Sequence, residues 1–260
     1  MSANNIIKND LFIQYLLHLA DNNLILTQRN GEWCGHGPVL EQDIAITNIT
    51  LDLIGQARLL YQYAAEKINA ADPSINATED SLAYLRTERE FLNLLLLELP
   101  KGDWAVTVLR QFLYSSFQKI LSEELQNSAD VQLAAVAEKS LKEIIYHVRW
   151  SSEWVIRLGD GTEESNDRMK NAIGKLWMYT GELFQPAPFE KYEVSGVDIP
   201  SLYSRWKESV EEVFEKATLE MPSAETFVQT GGKSGVHTEH LGYMLAEMQY
   251  LQRTYLNAEW

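Results

Sequence analysis

The sequence predicts an all-α fold, a bundle of long helices buried against one another. Three observations predict it. Pro38, Pro73, Pro100, Pro186, Pro188, Pro200 and Pro222 lie at or between periodic segments, and none interrupts one. Proline inside a helix costs about 3 kcal/mol, so the proline-free stretches 39–72 and 101–185 are where long helices fit. Alternating β-branched runs bounded by turn residues, the signature of strands, are missing.

The pattern places helices at about residues 9–28, 39–70, 79–98, 103–126, 130–158, 164–184, 199–220 and 238–255. The second carries Asp43, Asn48, Asp52 and Arg58 among apolar residues. Asp52 and Arg58 are candidates for a buried network, and Asp43 is expected to face solvent. The third ends FLNLLLLEL and is apolar nearly all round, so it belongs inside a bundle or beneath a partner subunit. Glu90, Asn93, Leu94 and Leu97 share one stripe on it. The fourth has Ser115 and Ser116 in mid-helix, with the nearest carboxylate, Glu123, about two turns on. Ser128 and Asp130 are placed to cap the fifth, Gly159-Asp160-Gly161 to stop it, and Glu143, His147, Trp150 and Trp154 share a stripe along it. Asp198 and Pro200 open the seventh. Irregular chain is expected near 29–38, 185–198 and 221–237, and residues 1–260 read as a single helical domain.

Composition narrows the function. Lys plus Arg (22) against Asp plus Glu (37) gives a net charge of −15, which disfavours nucleic acid and anionic membranes and obliges any polyanionic ligand to find a local cluster of cations. No apolar run approaches the ~20 residues of a membrane span, and MSANNIIKNDLF has no secretory features, so a cytoplasmic location is expected. The single Cys34 suits a reducing compartment and is read as structural.

The most informative absence concerns metal. In a di-iron carboxylate bundle a Glu-x-x-His pair sets an oxygen and a nitrogen ligand one turn apart on one face. Here no His follows a Glu or Asp by three residues; the candidate positions read Glu90-Phe-Leu-Asn93 and Glu143-Ile-Ile-Tyr146. The residues therefore read as a bundle that kept the architecture and lost the metal. Glu143 and His147, four apart, are a metal half-site, a Glu–His ion pair or two residues with nothing in common; Glu90, Glu143 and His147 together are candidates for a vestigial polar centre. His237 and His240 suit a metal, a helix start or a partner contact, and the Gly231–Gly235 segment GGKSG resembles a phosphate-cradling turn only faintly.

Four segments carry a resemblance. NLILTQRNGEWCGHGPVLEQDIAITNITLDLIGQARLLYQYAAE (23–66), RTEREFLNLLLLELPKGDWAVTVLRQF (86–112), KEIIYHVRWSSEWVIRLGDGTEES (142–165) and GGKSGVHTEHLGYMLAEMQYLQR (231–253) resemble, in the same order, the family of C subunits of phenylacetyl-CoA 1,2-epoxidase. The WCGH and HTEHLG…AEMQYLQR blocks are the most specific. The resemblance implies a ferritin-like bundle serving as the non-catalytic, structural partner of a related A subunit that holds the di-iron centre and binds most of the phenylacetyl-CoA. It implies other epoxidase subunits besides, and a separate reductase using a flavin, an iron–sulfur cluster and NADPH. It carries over no catalytic, cofactor-binding or metal residue to this chain. The alternative is an independent metalloenzyme drawing ligands from Glu90, Glu143, His147, His237 or His240. A contribution to the coenzyme A path is expected, if anywhere, at exposed cations such as Lys233 or Arg253. The all-apolar third helix further predicts a chain that self-associates, or is less stable, without its partner.

Overall fold

The computed structural model describes residues 3–223 and 227–255, and every regular element among them is helical. A short α1 (Ala3–Asn9) leads into α2 (Leu11–Gly31), started by Asp10, whose carboxylate accepts the Phe12 and Ile13 amides. α3 (Leu40–Ala71) returns along α2 to make one hairpin. After α4 (Glu79–Tyr84) and the single-turn α5 (Leu95–Glu98), the second hairpin is α6 (Trp104–Leu125) and α7 (Val131–Gly159). α8 (Glu163–Leu176) and α10 (Leu202–Lys216) flank that hairpin, with the single-turn α9 (Tyr192–Ser195) against α2. α11 (Glu239–Met248) and α12 (Tyr250–Thr254) close the described chain.

The core lies between the two hairpins. α7 shows how the sequence builds it: Leu133, Ala137, Ser140, Ile144, His147, Ser151 and Val155 recur every three or four residues and are all buried. α2 and α6 are buried on more sides because flanking helices cover them as well. Asp130 caps α7 by accepting the Leu133 amide, and Ser128 Oγ accepts the Asp130 amide, as their types predict. Gly159 ends α7 against the Ala217 backbone, where a β-carbon would overlap the carbonyl.

Three expected helices are interrupted. The 79–98 segment is not one helix: α4 stops at Leu85, a 3-10 turn spans Glu88–Glu90, Phe91 and Leu94 are extended, and α5 resumes for one turn. The reason is that side chains from elsewhere take the backbone donors. Asp21 accepts the Leu92 amide, Asn22 the Leu94 amide and Glu182 the Leu95 amide. Leu82 and the run Leu94 to Leu97 are buried, but by this chain's own helices, while Leu92 is half-buried and Leu85 exposed. Past Leu176 the 164–184 segment tightens into a 3-10 stretch, Trp177–Phe184. The last segment breaks at Gln249, whose side chain donates to the Ala83 and Arg86 carbonyls. No helix among the described residues is long and apolar enough to cross a membrane. Of the irregular 221–237 stretch, residues 224–226 lie outside the described chain.

Candidate functional site

At the centre of the bundle each of the four core helices contributes one polar side chain to a continuous hydrogen-bonded ladder. On α6, Gln118 Nε2 donates to Asn23 Oδ1 of α2 at 2.8 Å and to Gln56 Oε1 of α3 at 3.1 Å. Gln56 Nε2 in turn donates to Glu143 Oε2 of α7 at 2.8 Å. Asn23, Gln56 and Gln118 are buried, and the Tyr114 hydroxyl reaches Asn23 Oδ1 at 3.4 Å. Burial pushes the Tyr114 phenol well above its ordinary pKa, so it remains a neutral donor.

One turn along, α3 and α7 join again. His147 Nε2 lies 3.0 Å from Asp52 Oδ2, and the Trp150 and Trp154 indoles both donate to Gln42 Oε1 at 3.0 and 2.7 Å. The stripe Glu143–His147–Trp150–Trp154 therefore does share a face, and that face is presented to α3. Its expected counterpart does not exist. Asn93 sits in extended chain and donates to Glu98 at 2.8 Å, while Glu90 folds back onto the Thr87 amide and hydroxyl. Glu90, Glu143 and His147 consequently form no common centre: Glu143 pairs with Gln56, His147 with Asp52, and Glu90 closes a surface turn. Arg58 is exposed and pairs with Glu79, so it belongs to no buried network. Asp43 does more than face solvent: it accepts the Gly35 and Gly37 amides, which hold its carboxyl below the usual range and fasten the WCGH turn. Cys34 on that turn is exposed, so it is not a core residue.

The functional-looking residues of the C-terminal loop are occupied with tying the chain together. His237 Nδ1 is 2.7 Å from Glu98 Oε2 and its Nε2 is 2.9 Å from the Phe91 carbonyl. Glu98 also accepts the Thr238 amide at 2.6 Å. His240 is not part of this cluster; it lines a surface pocket with Arg29 and Glu32. Lys233 is not an exposed cation. It is buried against Glu190 at 2.8 Å and donates to the Leu183 and Gln185 carbonyls. Burial alone would raise the Glu190 carboxyl; the Lys233 ammonium and His18 overcome it and hold the group at about 2. Arg253 donates to the Arg86 and Leu85 carbonyls. The glycines of GGKSG allow close backbone approach rather than a phosphate cradle: a β-carbon on Gly232 would overlap the Asn93 carbonyl.

The carboxylates that organise this region were not among the sequence candidates. Asp21, fully buried, meets the Arg86 guanidinium and the Tyr61 hydroxyl as well as the Leu92 amide. Glu182 accepts the Leu95 and Gly231 amides, both at 2.8 Å. The one signal for Asp21 is the polar run Asp21-Asn22-Asn23 inside an otherwise apolar helix, since buried polar groups require partners; Glu182 carries no such signal.

Among the described residues, α3 presents an exposed apolar face. Along α3 the apolar residues Leu40, Ile44, Leu51 and Ile54 are 72%, 52%, 61% and 39% exposed, at helical spacing. Gly55 beside them has open space over its α-carbon, and Tyr146 of α7 is also exposed.

The donor set at the centre does not fit a di-iron site. One carboxylate stands among three neutral amides, the imidazole of His147 is engaged with Asp52, and among the described residues no three His, Cys, Asp or Glu are placed to share an ion. Fold and centre together define a ferritin-like helical bundle whose four core helices are joined by amides. The chain belongs to the phenylacetic acid catabolic protein family, whose model matches residues 2–260. It is similar to the C subunit of 1,2-phenylacetyl-CoA epoxidase from Escherichia coli (strain K12), with 47% identity over 249 residues, 95% of this chain and 98% of that protein.

Proposed function

We propose that this chain is the non-catalytic C-type subunit of a multicomponent di-iron monooxygenase that epoxidises phenylacetyl-CoA during aerobic phenylacetate catabolism in the cytoplasm. The near full-length likeness to the C subunit of the Escherichia coli epoxidase carries this reading. The chemistry of the bundle centre supports the non-catalytic role, because a set of neutral amides supplies neither the charge nor the open positions that oxygen activation at iron requires. An iron-bearing A-type subunit, related in fold, supplies that chemistry, and a flavin and iron–sulfur reductase brings electrons from NADPH.

The α3 face is the surface offered to that subunit. An apolar stripe of this length is costly to leave in water, and Gly55 lets a facing helix approach closely. Held there, the bundle keeps its partner's ligand-bearing helices in register. Coenzyme A recognition falls to the partner, since Lys233 is buried and paired.

The test is reconstitution. Purified A-type subunit and reductase are assayed for NADPH-dependent turnover of phenylacetyl-CoA with and without this chain, and iron is measured in each protein. Turnover is expected only when both subunits are present, with iron confined to the partner. Full turnover by the partner alone, or stoichiometric iron and oxygen chemistry in this chain alone, would refute the assignment.

A further inference from the structure

The ladder at the bundle centre has the layout of a metal site without its charges. A di-iron bundle gathers inward-facing carboxylates from four helices, two of them accompanied by an imidazole one turn away. Here α2, α3, α6 and α7 supply Asn23, Gln56, Gln118 and Glu143, linked through bonds of 2.8, 3.1 and 2.8 Å. A carboxylate and an imidazole, Asp52 and His147, form the neighbouring rung on α3 and α7. We infer that Asn23, Gln56, Gln118 and Glu143 occupy the ligand positions of a divalent-cation site, and that three amides standing for carboxylates turn it into a metal-free cross-link.

Three features of the centre support this. First, the bonds have a fixed polarity. Gln118 Nε2 is shared between two amide oxygens and Gln56 Nε2 points at Glu143, so the two lateral amide groups direct hydrogens into the space a cation would need. Second, the site is unfinished: Gln118 Oε1 and His147 Nδ1 are buried with no partner, as are several other buried polar atoms such as Asn93 Oδ1 and Ser116 Oγ. Third, Gln118, Asn23 and Gln56 border a cavity of about 40 Å³ whose remaining wall is mostly apolar, with Leu60, Leu121 and Ile144 among its residues, and which Glu143 does not line. That is ample for a single ion or water. One negative charge, on Glu143, does not offset the desolvation of a divalent ion; four would.

Gln→Glu and Asn→Asp are isosteric, so the idea is testable by restoring charge without changing shape. The triple variant Asn23→Asp/Gln56→Glu/Gln118→Glu and the unaltered chain are each incubated anaerobically with Fe²⁺, and separately with Mn²⁺ or Zn²⁺, then desalted. Retained metal is measured by elemental analysis and thermal stability by calorimetry. The unaltered chain is expected to retain no metal and to melt unchanged. The triple variant is expected to retain close to stoichiometric metal, and to melt lower than the parent without metal and recover with it. A variant that is helical and monodisperse yet retains none overturns the inference, as does stoichiometric metal in the unaltered chain.

If the triple variant folds neither with nor without metal, the single Gln118→Glu variant decides. At low pH its protonated carboxyl supplies one of the two hydrogens that the amide donates. Its melting temperature is then expected to lie closer to the parent near pH 5 than near pH 8, and to be raised at pH 8 by Zn²⁺. A deficit independent of pH and of metal overturns the proposal. The inference concerns the isolated chain's centre, so its failure leaves the turnover test of the proposed complex unaffected.

Discussion

At position 237 an imidazole lies between two acceptors, the Glu98 carboxylate and the Phe91 carbonyl, and only the doubly protonated ring satisfies both. Burial alone would lower its pKa, but the bond to Glu98, the charge of Glu98, the Phe91 carbonyl and more distantly Asp21 raise it above the ordinary value of 6.5. A folded pKa above the unfolded one contributes stability that is complete below about pH 6.5 and is lost as pH rises through the folded value. The melting temperature is therefore expected to fall across that window, and His237→Gln to remove this component; a parent and variant with parallel pH profiles would contradict it. At the Glu190–Lys233 pair the sign is opposite. The carboxyl is depressed, so its contribution is present above about pH 4.5 and is lost as pH falls towards 2. Lys233→Met leaves a buried carboxylate with His18 and the Ala187 amide beside it, and chemical denaturation is expected to report a loss of about 3–5 kcal/mol. Neither role was legible from the sequence. His237 and Lys233 sit in a glycine-rich loop that looks like a ligand site, and their partners lie 139 and 43 positions away.

At the scale of elements, legibility followed the range of the forces. α2, α3, α6 and α7 emerge from local periodicity, proline placement and side-chain caps such as Asp10, Asp103 and Asp130. The 79–98 segment does not, because Asp21, Asn22 and Glu182 take the amides of Leu92, Leu94 and Leu95 from 71, 72 and 87 residues away. Locally those leucines favour helix; the remote acceptors make extended chain the lower state. Asn22→Ala strands the buried Leu94 amide and is expected to cost about 1–3 kcal/mol in denaturant unfolding, with hydrogen exchange rising first over 91–95. An unchanged unfolding midpoint would show that the acceptor is dispensable. The exposed α3 stripe makes a separate prediction. Leu51→Asp touches no core contact, so the isolated chain should melt within about 0.5 kcal/mol of the parent while co-purification with the A-type subunit is lost. Retention of the complex would place the interface elsewhere.

For the molecule as a whole, the all-helical class and the missing Glu-x-x-His were readable because both are patterns along the chain. The ladder was not, since Asn23, Gln56 and Gln118 carry no charge and no motif; beyond the polar run that holds Asn23, only their convergence from three helices marks them. The expected dependence on a partner also changes its basis. The run Leu94 to Leu97 is buried within the chain, and the surface proposed to gain from association is that of α3. Adding the A-type subunit is expected to raise the melting temperature with the logarithm of its concentration once that exceeds the dissociation constant, and a monodisperse chain whose melting is indifferent to the partner would contradict this.

The fastening of residues 89–98 by the loop at 231–238 bears on how the chain is born. Glu98 and Glu190 are made early, but their neutralising partners His237 and Lys233, and the Gly231 amide that Glu182 needs, leave the ribosome only near the end of synthesis. A nascent chain that folds from its N-terminal side carries three buried carboxylates that each lack a partner, or holds that end of the bundle open, until the last segment arrives. Translation that stops before residue 231 therefore yields a product that proteases recognise, and cells should accumulate finished bundles but not truncated ones.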